Sequence, residues 1–372
     1  MKMQLSMLME QIPIMRETVS CSEITTFLSC RMKHEFRYRR RLAPMEESEP
    51  LNLGRAVHAG LESWYLRHDQ KAALDAVRES LDSCAAGAEL LPKALGMIEG
   101  YIRHWKDRED FKTLHVELPF RVPLRTPSGR ASRIYDLVGR VDGVVQKPDG
   151  SVWILEHKTL GRKDKNYFDK LDVDIQVRAY CWAVRRFTGL DIKGVIYNVL
   201  RSKLPVKPEL LKSGKLSKRA NIDTTYEIFL SAIDDTDSDP ADYAEILERL
   251  KSEGNSFFMR REVSYTAEEL DSFTLDLYRI TRDMRRSGRE EPYRNPTACG
   301  QFGPCSFRDL CTGSLPDDEV FDKYRELSTK HPELSDVDLD ELKPASAQTK
   351  TQDTESPRVS DGFLQSLLGD DL

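Results

Sequence analysis

Asp142, Glu156 and Lys158 stand on either side of the stretch Lys147-Pro148-Asp149-Gly150-Ser151 in a chain of 372 residues. Two acids and an amine gathered at one spot suit metal-assisted cleavage of a phosphodiester. Paired carboxylates hold a hard cation such as Mg²⁺ or Mn²⁺ through oxygen, and the cation polarises a phosphate and lowers the pKa of a bound water. The lysine would orient that water or neutralise charge growing on the phosphoryl oxygens. What must bring the three together is a β-hairpin. Leu137–Val145 and Val152–Lys158 are rich in Val, Ile, Leu and Trp, as half-buried strands are. Pro148 suits the first position of a type I turn and Gly150 the left-handed position after it, which predicts a three-residue loop closed by Lys147 and Ser151. That register sets Asp142 opposite Glu156. Alternation then puts Glu156 and Lys158 on the face of Asp142, while His157 points away. Taken alone, a Glu-x-Lys on an exposed strand reads more simply as a surface ion pair.

Neighbouring motifs change that reading. The hairpin sequence Gly139-Arg140-Val141-Asp142-Gly143 followed by Leu155-Glu156-His157-Lys158-Thr159 resembles the core of the PD-(D/E)XK nucleases of the RecB-like branch. Upstream, Gly54-Arg55-Ala56-Val57-His58 resembles that branch's helix-borne histidine motif. Downstream, Gln176 and Tyr180 match its Gln-x-x-x-Tyr motif, one turn apart on a helix predicted over Asp174–Phe187. The resemblance spans roughly Ser22 to Thr312. It implies a restriction-endonuclease-like α/β fold, a central mixed sheet flanked by helices with a helical N-terminal insertion. It implies His58 as a ligand of the catalytic Mg²⁺ or Mn²⁺ beside Asp142 and Glu156, with the backbone carbonyl of His157 as a further ligand. Lys158 would assist the attacking water, and Gln176 and Tyr180 would position DNA or hold the active-site strand. Without the resemblance, His58 reads as a satisfied core histidine on an apolar helix face with Val57, Leu61 and Trp64. Glu62, one turn later, is either a partner of the site or an acid facing water.

Cysteine supplies a second signature. No signal peptide or long apolar run is present, so the chain reads as a cytoplasmic protein of a prokaryotic or phage-infected cell, with no membrane span and reduced thiols. Clustered cysteines then mean metal. Cys299, Cys305 and Cys311 are evenly spaced, with Gly300, Gly303 and Pro304 bending the chain between them, and Cys30 is the candidate fourth ligand of a [4Fe-4S] cluster. Four-cysteine zinc is the chemical rival. The pattern resembles the iron-sulfur subgroup of the same nucleases, which includes the CRISPR-adaptation nuclease and the AddB nuclease domain. There, one cysteine before the core joins three after it and the cluster staples the chain ends together. The five residues between Cys299 and Cys305 depart from the usual two. Cys84 and Cys181 read as core residues, and Cys21 as the second choice for the place of Cys30.

The net charge of −6 looks wrong for a DNA-binding protein, but residues 332–372 carry ten acids against three bases, so the rest of the chain is close to neutral. Within the body, Arg31, Lys33, Arg37, Arg39, Arg40 and Arg41 oppose only Glu35. Such a run is either a solvated face or a set of contacts to DNA phosphates. Arg162-Lys163-Asp164-Lys165 and the loop from Lys203 to Arg219 could line the same groove, with Tyr38, Tyr167 or Phe168 stacking on unpaired bases. The predicted organisation is a leader at 1–20 and an iron-sulfur nuclease domain at 21–315, comprising a helical insertion at 53–110, a catalytic core at 113–202 and a cysteine segment at 295–313. A disordered acidic tail follows at 332–372. In it, Phe363-Leu364-Gln365-Ser366-Leu367-Leu368 is apolar enough to bind a replication or recombination protein. The function that follows is a metal-dependent DNA exonuclease acting on single strands or ends. The alternative is a non-catalytic DNA-binding iron-sulfur subunit of a recombination complex.

Overall fold

A computed structural model describes residues 16–161, 167–219, 221–301 and 303–344. The basic stretch 162–165, most of the leader and the apolar segment 363–368 lie outside the described residues. Strand β1 (Glu17–Ser20) runs straight into helix α1 (Cys21–Ser29). The Ser20 hydroxyl caps α1 by accepting the N–H of Glu23 at 3.2 Å. Helix α2 (Arg31–His34) continues as a π-helical turn, Glu35–Arg39, into the short strand β2 (Leu42–Pro44). Three helices follow, α3 (Glu49–Arg67), α4 (Gln70–Asp82) and α5 (Gly87–Trp105). The chain breaks at His68, with φ of 50°, and after Asp82, and Pro92 sits inside α5.

Three long strands follow, β3 (Lys112–Arg125), β4 (Ala131–Gln146) and β5 (Val152–Leu160), and the last two contain the two predicted strands. The predicted loop closes as read, with Lys147 N–H donating to Ser151 O and Gly150 N–H to Lys147 O, both at 2.9 Å, and Gly150 at φ +83°. Helix α6 (Ile175–Thr188), capped by Asp174, leads to β6 (Ile192–Arg201). Helices α7 (Tyr226–Asp235) and α8 (Ala244–Glu253) make a small cluster around Phe229 and Tyr243. A strand, β7 (Phe258–Ser264), follows, before α9 (Ala267–Ser287). Two short helices, α10 (Arg308–Thr312) and α11 (Val320–Lys323), precede β8 (Tyr324–Glu326), which pairs antiparallel with β2.

β4 organises the main sheet. β3 lies antiparallel along one of its edges, with a bulge between Thr113 and His115. Its other edge is shared: β1 pairs parallel with Tyr135–Val138, and β5 pairs antiparallel with Gly143–Gln146. Between them, residues 139–142 face a gap. β5 continues past Leu155 beside β6 in parallel, and β7 pairs antiparallel with β6. Helices α1, α6 and α9 cover one face through Ile24, Phe27, Trp182 and Leu277. Helices α3 to α5 cover the other, with Leu61, Met97 and Ile98 against Val145, Leu155 and Ile196. The fold is therefore a central mixed sheet flanked by helices. Leu334 is buried, so the tail boundary drawn at 332 falls inside packed chain. No helix among the described residues is long and apolar enough to cross a membrane.

Candidate active site

The gap in β4 is where the chemistry collects. The register Gly143↔Leu155 would set Asp142 against Glu156, but the two strands part there and the pairing ends. Parting strands leave backbone groups without ladder partners, and Asp142 supplies one: its Oδ2 accepts the N–H of His157 at 2.6 Å. Its Oδ1 lies 3.3 Å from Nδ1 of His58, delivered from the middle of α3. A third group joins from β3. Glu117 falls opposite Asp142, between the pairs Val116↔Gly143 and Leu118↔Val141, and one ligand atom each from His58, Glu117 and Asp142 lie within 4.8 Å of one another. Glu117 has a φ of 50°, a left-handed conformation that a side chain adopts at a cost and that collects at functional sites.

Glu156 is held apart from this trio. Its Oε1 accepts Lys158 Nζ at 2.7 Å and Gln176 Nε2 at 3.0 Å, while its Oε2 is buried without a hydrogen-bond partner among the described residues. Gln176 also donates to the Tyr180 hydroxyl at 3.0 Å, so both residues on α6 brace the carboxylate. Gly139 allows this packing, since a Cβ there would come 2.6 Å from the Phe120 ring and 3.3 Å from that of Tyr180. The His157 ring points to the far side of the sheet as the alternation predicts. It stacks on Tyr65 and contacts Asn198 Nδ2 at 3.2 Å.

Burial and crowding set the charges. Burial pushes Glu156 up to about 7, with the Asp142 charge adding to the rise against Lys158. Burial likewise lifts Glu117 to about 8, helped by Asp142 and Glu62. Burial would raise Asp142 too, but the charge of His58 and its hydrogen bond, with His157 and Lys158, hold it well below the usual carboxylate range. For Lys158, burial is outweighed by Glu156 and Asp142, and its pKa rises. Burial drops the His157 ring to about 3, so it is neutral. Three converging ligand atoms, with a buried carboxylate oxygen on the adjoining strand that has no partner among the described residues, fit a hard cation.

The structure brings together His58, Asp142, Glu156, Lys158, Gln176 and Tyr180. Glu117 is the residue the sequence reading lacks. Its signal was present: it is the one acid in β3, in antiparallel register with Asp142.

Cys30, Cys299, Cys305 and Cys311 line one cavity of about 460 Å³ with Met32, Phe36 and Phe307. No three of their sulfurs lie within 4.8 Å of one another. Cys30 caps the C-terminus of α1, and Asn295 Nδ2 donates to the carbonyl of its neighbour Ser29 at 2.7 Å. Cys21 and Cys181 are buried in the main core and Cys84 packs against the α3 to α5 cluster. The basic run is largely engaged within the chain. The Arg31 guanidinium lies over Phe27, Arg37 lies over Tyr38, and Lys33 lines the cysteine cavity. Arg39 and Arg40 pair with Glu35, and Arg41 pairs with Glu326.

A sequence profile of the PD-(D/E)XK nuclease superfamily matches residues 18–312. A Eubacterium rectale protein described as "Putative exonuclease" is similar over 80% of this chain and 94% of its own, at 14% identity and a TM-score of 0.42. SSO0001 is similar over 85% of this chain and 95% of its own, at 11% identity and a TM-score of 0.31. No curated protein matches.

Proposed function

Because the chain belongs to the PD-(D/E)XK nuclease superfamily, we propose that it is a divalent-metal-dependent DNA exonuclease of the RecB-like branch, carrying a structural [4Fe-4S] cluster. The observation that carries the catalytic part is the convergence of His58, Glu117 and Asp142 beside the unpartnered Oε2 of Glu156. These four residues, with the His157 carbonyl, would hold Mg²⁺ or Mn²⁺. Bound there, the ion would polarise the scissile phosphate and acidify a water. Asp142 is ionised and anchors the site. Lys158, held protonated by its two carboxylate neighbours, acts as a donor toward the phosphoryl oxygens or the attacking water and not as the base. Gln176 and Tyr180 fix the Glu156 carboxylate, and the neutral His157 ring, stacked on Tyr65 and held beside Asn198, fixes the peptide whose carbonyl would serve as the further ligand.

The donor set of the second cavity supports the cluster. Cys30, Cys299, Cys305 and Cys311 line one cavity, the donor set a four-thiolate cluster needs, and four-cysteine zinc is the chemical rival. Exposed members of the basic run, Arg39 and Arg40 among them, would add salt-sensitive contacts to DNA phosphates.

Purified protein is expected to degrade DNA labelled at either end when Mg²⁺ or Mn²⁺ is added. Glu156→Ala and Lys158→Ala are each expected to lower the rate by about a hundredfold or more while leaving the melting temperature and DNA affinity near wild type. Wild-type protein that binds single-stranded, double-stranded and flapped DNA but cuts none of them would leave only the non-catalytic subunit role. Iron with visible absorbance in anaerobic protein supports the cluster; zinc without iron overturns it.

A further inference from the structure

Arg140 is two residues before Asp142 on β4 and therefore on the same face of the strand. Its Nη1 lies 3.7 Å from Glu117 Oε2. Further along that face, on β3, Arg121 donates from Nε to Asp136 at 2.8 Å. Two guanidinium groups thus lead along the sheet to the metal-binding carboxylates. A fixed cation beside a cation site weakens metal binding unless an anion arrives to balance it. The group that arrives with the metal in phosphodiester cleavage is a phosphate, and arginine is the side chain whose planar fork suits it.

In this structure the arginines face another anion. The segment after β8 crosses them: Leu334 anchors it in a buried position, Asp336 pairs with Arg140, and Arg121 Nη1 donates to Leu339 O at 2.9 Å and Asp340 Oδ1 at 2.6 Å. Residues 333–341 include Glu333, Asp336, Asp338, Asp340 and Glu341, with no base among them. The side chains of Asp336 and Asp340 are 67% and 86% exposed. Pairs so exposed are held weakly and give way to a competing polyanion. The segment runs through a 3-10 turn at Pro332–Leu334 and further turns after it, and carboxylates set along them present negative charge to the two arginines as phosphates would.

We propose that Arg140 and Arg121 form the track on which the phosphates of the substrate strand approach the metal site, and that the acidic segment 333–341 occupies this track until nucleic acid displaces it. The proposal rests on the nuclease reading and adds the substrate path and its internal competitor.

The test is binding of the full-length protein to a fluorescent oligonucleotide, followed by anisotropy without divalent metal over a salt series. The double variant Asp336→Asn/Asp340→Asn is expected to bind about three- to tenfold more tightly near 0.1 M salt. Its plot of log K against log salt should steepen by about 0.7–0.9 for each arginine released. Adding Arg140→Gln should remove about half of that gain, the share Arg140 carries. Glu245→Gln/Glu248→Gln, on the exposed face of α8, changes the net charge equally and should produce no gain. The proposal is overturned by equal affinity in wild type and the double variant, by a gain left undiminished by Arg140→Gln, or by the same gain from the α8 variant. Failure of the nuclease reading looks different: with Mg²⁺ or Mn²⁺ added, the wild type and every variant would then cut no nucleic acid, whatever their affinities.

Discussion

Glu117 ties the electrostatics of the site to the stability of the fold. Its carboxyl titrates near 8 in the folded protein, against an ordinary value of 4.5, because burial and Asp142 disfavour its charge. The sign follows from linkage. A raised acid contributes its stability while protonated, so below about pH 4.5 the fold has the full benefit, and it loses that benefit as the pH rises toward 8 and the buried group is forced to ionise. Metal-free Glu117→Gln is therefore expected to melt with the wild type near pH 4.5 and several degrees above it near pH 8.5. Manganese should raise its melting temperature less than that of the wild type, since a ligand has been removed. Equal melting of both proteins at both pH values, with equal gains from manganese, would show that Glu117 takes no part in the site. At this scale much was legible. Asp142, Glu156, Lys158, Gln176 and Tyr180 can be named from spacing and resemblance because strand and helix periodicities dictate which side chains meet. Glu117 escapes that logic, since it reaches the site from a strand paired across β4, and hairpin registry says nothing about the third strand.

At the scale of elements, the decisive feature is the parting of β4 and β5 after Gly143 and Leu155. The sequence predicts the hairpin but treats its ladder as continuous, because nothing within those two strands records that β1 takes over the vacated edge of β4. That contact comes from more than a hundred residues upstream and depends on tertiary packing. The Asp142 side chain serves both jobs the gap creates, meeting His58 through one oxygen and accepting the His157 N–H through the other. Two substitutions separate them. Asp142→Asn keeps an acceptor oxygen and should leave the melting temperature close to wild type while abolishing metal binding. Asp142→Ala also orphans a buried N–H and should cost about 1–3 kcal/mol more in stability. Thermal melts beside manganese titrations check this. Identical stability of the two variants would mean that the peptide N–H finds another partner and that Asp142 does not hold the strands at their parting.

Across the whole molecule, α1 and the segment after α9 are joined at the cysteine cavity although they are nearly 270 residues apart in sequence. Met32 N–H donates to Tyr293 O at 3.3 Å, and Phe36, Leu42, Phe307, Leu315 and Tyr324 make a small core of their own beneath the thiols. Five large side chains bury too little surface to fix such distant segments firmly, and closing a loop of that length costs the chain several kcal/mol of entropy. A covalent or metal clip would recover up to about 5 kcal/mol of it. Cys30→Ser is therefore expected to lower the melting temperature by ten degrees or more and to bleach any visible absorbance. Because α1 also packs beneath the main sheet, nuclease activity should fall with the loss of folded protein and recover at low temperature. Loss of activity at temperatures where Cys30→Ser remains fully folded would instead place the cysteine cavity in the path of the substrate and make its role more than structural.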